Sequence, residues 1–181
     1  MRITDKYVFF YKDWLSNYQR TNFEYDITYL WPDCNWGDFK IATKFTSTEQ
    51  AFMYCKALCF FDFDTANKII NDNNPDYCRK LGRTVKNYKD EIWDDVRYEL
   101  FYELNYQKYS QDNKLKAKLL DSQFDDKTFV EASPIDKIWG VGLDENNPLI
   151  DDESNWKGQN LLGKLLTNIR KELKNELLTK N

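Results

Sequence analysis

The sequence predicts a single domain that is mainly α-helical, with a small β element near its N-terminus. The chain has 181 residues, a length that suits one domain with a sizeable core. After residue 46, apolar residues recur at helical spacing along most of the chain. Strand-like composition is concentrated in the first 45 residues. We therefore expect a mixed α+β fold in one domain over residues 1–181.

Two segments near the N-terminus have the composition of strands. They read KYVFFY at residues 6–11 and FKIATKF at residues 39–45, and both are rich in aromatic and β-branched residues. Between them, WPDCNWGD contains Pro32 and Gly37, which is typical of a loop. These segments predict the small β element.

The first helix begins in TSTEQAFMYCKALCFF, which starts at residue 46. Thr46 or Ser47 is placed to act as its N-cap, and Glu49 or Gln50 completes a capping box.

Five further helices are predicted along the rest of the chain. A glycine at position 82 suits the residue just after a helix, and acidic residues from Asp90 suit a helix N-terminus. In the long fourth helix, Ile92, Val96, Leu100 and Leu104 recur at spacing four. The predicted bounds are Asp64–Asn71, Pro75–Gly82, Asp90–Tyr109, NKLKAKLL at residues 113–120 and Asn160–Leu178. The last helix has a predicted buried stripe of Leu162, Leu165, Leu166, Ile169 and Leu173.

Composition excludes several classes of function. The net charge is −4, so the chain does not favour sequence-independent binding to nucleic-acid phosphates. It contains no histidine, which excludes Ser-His and Cys-His nucleophile pairs and HExxH zinc sites. No apolar run approaches the roughly 18 residues of a membrane span, and no signal peptide is recognisable. We expect a cytoplasmic protein.

The four cysteines are read as buried, unreactive thiols of a reducing compartment. Cys34, Cys55, Cys59 and Cys78 form no CxxC motif, and Cys55 and Cys59 lie one helical turn apart. A zinc site built from all four is the alternative.

In the first predicted helix, Glu49, Met53 and Lys56 fall on one stripe beside Phe52. This pattern has two interpretations: a solvated pair of charges with a capping glutamate, or a half-buried carboxylate and ammonium available for chemistry. In the fourth helix, Trp93 and Arg97 are four residues apart. They could form a structural cation–π pair, or a platform for a flat ring with an arginine for a phosphate or carbonyl.

The segment FVEASPIDKIWGVG, at residues 129–142, places two carboxylates around a Ser-Pro turn. Glu131 and Asp136 could point into one cavity, with Trp139 as an aromatic wall and Gly140 allowing close approach. Alternatively, Asp136 caps the next turn and Trp139 belongs to the core. This segment begins a long connection without clear periodicity, which favours an ordered functional loop.

The segment WKGQNLLG, at residues 156–163, leads into the last helix. Asn160 is its predicted N-cap, and the free N–H groups of the helix N-terminus would suit a phosphate. Gly163 in the first turn costs about 1 kcal/mol relative to alanine, which indicates close packing or a ligand near the backbone.

Taken together, these segments resemble one family, the NADAR (YbiA-like) N-glycosidases. The resemblance covers about residues 9–173. It rests on WLSNY, TSTEQAFMYCKA, GRTV, the Trp93–Arg97 helix, VEASPIDKIWGVGL and WKGQNLLGKLLTNIRKEL, in that order. The family fold is largely helical, which agrees with the elements above.

The resemblance implies hydrolysis of the N-glycosidic bond between a ribose and a base. Two substrate classes are implied: ADP-ribose attached to guanine, free or in nucleic acid, and phosphoribosylated pyrimidine intermediates of riboflavin synthesis. It implies neither a metal nor an organic cofactor. It also implies a set of functional residues. The catalytic residues would be Glu49, Lys56, Glu131 and Asp136, and the substrate-binding residues Asn17, Arg83, Trp93, Arg97, Trp139, Gly140, Trp156 and Asn160.

Three roles follow as hypotheses. Glu131 or Asp136 would activate water and stabilise the cationic sugar. Glu49 and Lys56 would orient the ribose or donate a proton, and a Schiff base from Lys56 is a rival role. Trp93 and Trp139 would hold the base, while Arg83, Arg97 and the amides near Asn160 would receive phosphates.

This chain departs from the family pattern on the first helix. Many members have histidine where Gln50 stands, and some have glutamine at the positions of Met53 and Cys55. These differences affect which base would be accepted. The alternatives to an enzyme are a non-catalytic ADP-ribose or nucleotide binder and a structural helical protein. The oligomeric state is left open.

Overall fold

The computed structural model describes residues 1–31 and 40–179. It confirms the mixed α+β fold. The strands, in chain order, are β1 (Arg2–Ile3), β2 (Tyr7–Phe10), β3 (Phe23–Asp26), β4 (Ala42–Phe45) and β5 (Thr128–Glu131). The α-helices are α1 (Thr48–Cys59), α2 (Phe63–Ile70), α3 (Pro75–Gly82), α4 (Asp90–Gln111), α5 (Asn113–Leu119) and α6 (Leu161–Thr179). Most of the predicted WPDCNWGD loop, including Cys34, lies outside the described residues.

The chain divides into two compact units. The first contains residues 1–16 and the chain from residue 113 onward, and the second contains residues 17–112. The single domain over residues 1–181 stays a prediction.

In the first unit, a three-stranded sheet has the order β1-β2-β5. Strand β2 pairs antiparallel with β1 and parallel with β5, with Phe9 opposite Val130 and Phe10 opposite Glu131. All four residues of β2 are buried, which explains its continuous apolar sequence. The register brings Glu131 to the carboxyl end of β5, where the strand leaves the sheet.

Helix α6 packs against β5 within the same unit. Its predicted stripe is confirmed, because Leu162, Leu165, Leu166, Ile169 and Leu173 are all 0% exposed. Gly163 is buried among these residues. A Cβ at this position would overlap the carbonyl oxygen of Phe129 in β5. Close packing, not a ligand, therefore explains the glycine.

In the second unit, β3 and β4 form an antiparallel pair in which Phe23 lies opposite Phe45. Helix α1 packs against α2, α3 and α4. The N-cap prediction for α1 is confirmed for Ser47, whose Oγ accepts from the N–H of Gln50 at 3.1 Å. Gln50 completes the cap, since its Oε1 accepts from the N–H of Thr46 at 2.8 Å.

Two details of the helix predictions are corrected by the structure. Gly82 is the last residue of α3, and the C-cap is Arg83 with a φ of −80°, so Gly82 is not a left-handed residue after the helix. It is a glycine because a Cβ would overlap the side chain of Met53 on α1. In α4, Ile92 and Val96 are 44% and 38% exposed. The buried face of this helix instead contains Trp93, Leu100 and Leu104.

Strands β1, β3 and β5 were not predicted. Strand β1 has only two residues, and β3 (FEYD) and β5 (TFVE) are polar at half of their positions, so none has the continuous apolar composition of β2. Within the described ranges, no helix has the length and apolar character needed to cross a membrane.

Candidate active site

The first turn of α1 holds the candidate carboxylate Glu49. Its backbone N–H donates to the carbonyl of Asn17 at 3.1 Å, so the structure brings these two candidate residues together. Glu49 is 8% exposed, which excludes the interpretation of a fully solvated charge. The charge of Glu49 contributes, after burial, to raising the pKa of the nearby Tyr18 hydroxyl. Gln50 is occupied structurally, because its Nε2 donates to the carbonyl of Asp72 at 2.9 Å.

Lys56, two turns further along α1, lies in an aromatic cage. Its Nζ is 4.2 Å from the ring centroid of Tyr88 and 5.7 Å from that of Trp93, and it donates to the carbonyl of Gly82 at 3.0 Å. Burial lowers the pKa of Lys56, an effect that the charge of Asp90 partly opposes. The ammonium is therefore held with one carbonyl acceptor and two ring faces.

Trp93 is 5% exposed and packs on Phe52, with ring centroids 4.9 Å apart. The cation over its ring is Lys56, whereas Arg97 pairs with Asp94 through a 2.7 Å ion pair. The described residues therefore show no cation–π pair between Trp93 and Arg97, which was the structural alternative for these two side chains. Arg83 is exposed at the end of α3.

In the first unit, Glu131 is the last residue of β5 and is half-buried. Its N–H donates to Oδ1 of Asn160 at 3.0 Å, and its carbonyl accepts from the N–H of Val141 at 3.0 Å. These bonds hold the backbone of Glu131 on both sides. The same contacts bring Glu131, Asn160 and the Gly140 segment together.

Asp136 caps the turn that follows the Ser-Pro pair. Its Oδ1 accepts from the N–H groups of Ile138 at 2.9 Å and Trp139 at 2.8 Å. This is the capping alternative derived from the sequence. The second oxygen, Oδ2, makes no hydrogen bond with the described residues, so it is available to contact a water molecule or a substrate. Trp139 is half-buried.

The amides at the start of α6 are already paired, which corrects the predicted phosphate site. The N–H groups of Asn160, Leu161 and Leu162 donate to the carbonyls of Gly140, Ile138 and Trp139 at 3.2, 3.2 and 3.0 Å. A phosphate would have to displace these bonds.

Asn160 also differs from a simple N-cap. Its side chain is 0% exposed and points to β5, where Nδ2 donates to the carbonyl of Phe129 at 3.0 Å. Its backbone carbonyl does accept from the N–H of Lys164 at 3.0 Å, as an N-cap residue should. Asn160 therefore locks the loop and the helix start onto the strand.

Trp156, predicted to bind substrate, is half-buried and packs against the core of its unit. Its Nε1 donates to the carbonyl of Ile150 at 2.8 Å, and its ring meets Tyr7 edge-on with centroids 5.6 Å apart. Through these contacts Trp156 stabilises the packing of its own segment against β2.

Gly140 and Gly158 allow two backbone segments to approach closely. A Cβ at Gly140 would lie 2.9 Å from the carbonyl oxygen of Glu131, and one at Gly158 would overlap the carbonyl of Gly140. The glycines therefore serve close packing of the loop behind Glu131.

Two residues around Lys56 were missed by sequence reasoning, Tyr88 and Gly82. Tyr88 lies in the connection between α3 and α4, where no periodicity identifies a side chain that will face α1. Burial and the bond to Asp90 raise the pKa of Tyr88 to about 12. Gly82 contributes a carbonyl, which no side-chain pattern could reveal.

The described residues contain no group of side chains that could hold a metal ion. Cys55, Cys59 and Cys78 are free thiols, and Cys34 lies outside the described range. Burial raises the pKa of Cys59 and of Cys78 to about 11. These thiols are protonated at neutral pH, as the interpretation of unreactive cysteines requires.

Comparison with known families gives one match over nearly the whole chain. A family model described as the NADAR domain matches residues 8–174.

Three curated relatives share at least 30% identity with the chain. N-glycosidase R617 of Acanthamoeba polyphaga mimivirus is 38% identical over 172 residues, covering 93% of this chain and 97% of that protein. Protein irg-1 of Caenorhabditis elegans is 39% identical over 72% of this chain, which spans 61% of its length. The chloroplastic riboflavin biosynthesis protein PYRR of Arabidopsis thaliana is 32% identical over 61% of this chain, which spans 17% of its length.

Among solved structures, the NMR structure of the Escherichia coli protein YbiA has a similar fold. The TM-score is 0.69 at 22% identity, and the similarity covers 98% of this chain and 90% of that chain.

Proposed function

This chain belongs to the NADAR domain family, and from that premise we propose that it is an N-glycosidase. It hydrolyses the bond between a ribose and a base. The observation that carries the proposal is the 38% identity to N-glycosidase R617 along 93% of this chain. The buried carboxylate Glu49, the caged ammonium Lys56 and the carboxylates Glu131 and Asp136 supply suitable chemistry.

The reaction needs a base for water and an acid for the leaving group. Water adds its oxygen to C1′ of the ribose and gives one proton to a carboxylate. The C1′–N bond breaks, its electron pair leaves on the base nitrogen, and that nitrogen takes up a proton. The sugar develops positive charge as the bond breaks, so a carboxylate beside it lowers the barrier.

We assign water activation to Glu131 or Asp136. The backbone of Glu131 is fixed by Asn160 and Val141, which pre-organises its position. Asp136 uses Oδ1 in the turn and has Oδ2 for a second contact. Both arrangements suit a carboxylate that must stay in place during the reaction.

We assign Glu49 and Lys56 to the ribose and the leaving group. A lysine with a lowered pKa gives up its proton more readily than an ordinary lysine, which suits an acid. The same lowered pKa would suit attack of the amine on C1′, the rival role. Borohydride reduction during turnover distinguishes the two, since only an imine with Lys56 would leave a stable adduct.

For the substrate we propose ADP-ribose attached to guanine, free or within nucleic acid. The net charge of −4 favours a nucleotide-sized molecule over a long strand. The second candidate is a phosphoribosylated pyrimidine, and the similarity to a riboflavin biosynthesis protein favours it. Arg83 is exposed and is the candidate for a substrate phosphate.

The test is a product assay with ADP-ribosylated guanine, offered as a nucleotide and within a DNA oligonucleotide. We expect the native protein to release free ADP-ribose. Glu49→Gln and Glu131→Gln should each lower kcat/KM by about 10²–10⁴-fold, the usual loss when an acid or base is removed. Glu172→Gln, on the exposed face of α6, is the matched control and should keep full activity.

Other outcomes lead to different conclusions. Cleavage of phosphoribosylated pyrimidines alone would replace the substrate and keep the N-glycosidase. Tight binding of ADP-ribose without cleavage of any of these compounds would replace the enzyme with a binding module. Full activity of both glutamate variants would remove these carboxylates from the mechanism.

A further inference from the structure

Two phenylalanines just after α1 have rings that are exposed to solvent. Phe61 is 64% exposed and Phe63 is 59% exposed, and their ring centroids are 6.3 Å apart at an interplanar angle of 69°. Single apolar side chains are ordinary on a protein surface, whereas two exposed aromatic rings in contact form a patch. Packing in the core therefore does not explain this aromatic pair.

The backbone at Phe61 has a conformation that favours glycine. Its φ is +56°, in the left-handed region. Its N–H donates to the carbonyl of Leu58, and the N–H of Asp62 donates to the carbonyl of Ala57, both at 2.9 Å. These two bonds form a Schellman motif, whose left-handed residue is usually glycine. The chain thus holds an exposed ring where the fold alone would be more stable with glycine, and strain of this kind is typical of functional sites.

The aromatic pair lies next to the cage of Lys56. Phe60 directly precedes the pair, and its ring meets the ring of Tyr88 edge-on with centroids 5.2 Å apart. The Nζ of Lys56 is 4.2 Å from the ring centroid of the same tyrosine. Phe61 follows Lys56 by five residues, which is little more than one helical turn. A molecule held at Lys56 can therefore extend onto the aromatic pair.

Cations that suit a phosphate are present beside Lys56 and beside the aromatic pair. Arg83 is exposed and directly follows the carbonyl that accepts from Lys56. The N–H of Lys86 donates to Oδ2 of Asp62 at 2.9 Å, so its backbone lies against the residue between the two phenylalanines. The Nζ of Lys86 is 3.7 Å from Asp64, but these side chains are 68% and 83% exposed. Such an exposed ion pair is weak, so the ammonium of Lys86 is able to turn to a phosphate.

We propose, on the basis of the proposed N-glycosidase function, that Phe61 and Phe63 form a stacking site for a second nucleobase of the substrate. Every nucleobase has a flat face, and stacking on an aromatic side chain holds it without regard to its identity. Two sources supply the same chemistry: the adenine of ADP-ribose, and a neighbouring base of a nucleic-acid strand. A phosphoribosylated pyrimidine has no second base, so the aromatic pair favours the first of the two substrate classes.

The charges beside the aromatic pair argue against a purely apolar occupant. Beneath an apolar surface, Arg83 and Lys86 would lose water without gaining a partner. The phosphates of a nucleotide supply charged acceptors for both side chains. A ligand with a flat ring and phosphates therefore matches this surface better than an apolar one.

Calorimetric titration of the full chain with ADP-ribose and with ribose 5-phosphate is the first test. The variant combines Phe61→Gly with Phe63→Ala. If adenine stacks on the pair, the variant should raise the Kd for ADP-ribose by about fivefold or more. The Kd for ribose 5-phosphate should not change, because that ligand has no base. The matched control is Tyr29→Ala, which removes a ring that is 66% exposed on the 3₁₀ helix Ile27–Leu30 and should bind both ligands like the native chain.

Cleavage of ADP-ribosylated guanine tests the second source of the base. If a neighbouring base stacks on the pair, the double variant should lower kcat/KM about fivefold or more for guanine within a single-stranded oligonucleotide, but not for the free nucleotide. Unchanged ADP-ribose binding together with unchanged cleavage of the oligonucleotide would overturn the stacking site. Equal losses in the Tyr29→Ala control would overturn it as well.

Failure of the N-glycosidase function has a different result. The native chain would then cleave neither substrate, and the effect of the double variant on the Kd for ADP-ribose alone would decide the stacking site. A native chain that neither binds ADP-ribose nor cleaves the oligonucleotide would overturn both proposals.

The melting temperature separates a loss of stacking from a loss of folding. Phe61→Gly alone should raise the Tm by about 2–4 °C, because glycine adopts the left-handed backbone without strain. Weaker binding by a variant that melts at a higher temperature is not caused by unfolding. A lower Tm for Phe61→Gly would show that this ring stabilises the fold, which would contradict the reason for assigning it to a ligand.

Discussion

At the scale of single residues, Asn160 shows how one side chain can organise a loop. It is fully buried, has a left-handed φ of 53°, and bonds to both backbone neighbours of Val130 in β5. Asparagine tolerates this backbone conformation better than most residues. Its side chain supplies the acceptor for the Glu131 N–H and the donor for the Phe129 carbonyl, which no other residue type does at this length.

Asn160→Ala should lower the free energy of unfolding by about 3 kcal/mol, because two buried backbone groups lose their partners. Urea denaturation measures this change. Asn168→Ala, on the exposed side of α6, is the control and should alter stability by less than about 0.5 kcal/mol. Equal stability of the two variants would contradict the role given to Asn160.

Lys56 illustrates what sequence reasoning could and could not predict about a candidate residue. Its position on one stripe of α1 with Glu49 and Met53 follows from helical periodicity alone. Its cage does not, because Tyr88 and Gly82 come from a connection and a helix end. Local spacing identifies which face a residue occupies, but not which distant segment covers that face.

At the scale of elements, the contact of α6 with β5 depends on Gly163. A Cβ at this position would overlap the carbonyl of Phe129 and the side-chain amide of Asn160. Neither group can move easily, since one is strand backbone and the other is held by two hydrogen bonds. The helix can therefore approach the strand closely only with glycine here.

Gly163→Ala should lower the free energy of unfolding by about 3 kcal/mol or more, although alanine is the better helix former. Thermal or urea denaturation measures the loss. Lys164→Ala, one residue further along the same helix and exposed, should change stability by less than about 0.5 kcal/mol. A stabilised Gly163→Ala variant would show that helix propensity outweighs the overlap.

Strand β5 shows the limit of prediction for elements. The apolar pair Phe129-Val130 stands directly before Glu131, but a strand of four residues cannot be distinguished from a helix end by its sequence pattern. Its parallel partner β2 is more than 100 residues away in sequence. Such a pairing is decided by long-range packing.

At the scale of the whole molecule, composition sets the response to alkaline pH. The chain has no histidine, so no imidazole titrates between pH 5 and 8. Burial raises the pKa of Cys59 and Cys78 from 9.0 to about 11. The folded state therefore binds these protons more tightly than the unfolded state, and the stability gained is complete below pH 9 and lost as pH rises through about 11.

Under reducing conditions, we expect the urea concentration at the unfolding midpoint to decrease as the pH is raised from 8 to 10. Lys56 acts in the opposite direction, because its lowered pKa makes its contribution rise with pH towards 10.5. Cys59→Ala/Cys78→Ala should show a shallower fall than the native chain. A midpoint that is independent of pH over this range, or equal slopes for both proteins, would contradict the assignment to the thiols.

The sequence by itself determined the local structure and the family. Caps such as Ser47, the proline that begins α3 and the apolar stripe of α6 act within a few residues, so their effect can be read along the chain. The candidate carboxylates and Lys56 were identified because they lie in long and specific motifs, which are also recognised along the chain.

Only the tertiary structure decided how those residues are used. It paired the α6 amides with loop carbonyls, packed Trp156 against the ring of Tyr7 and enclosed Lys56 with Tyr88. It also brought Val96 of α4 and the tyrosines Tyr25 and Tyr29 of other elements together around one cavity. The physical reason is common to all of these: hydrogen bonds and packing across distant segments depend on the folded geometry, whereas caps and periodicity depend on neighbours in sequence.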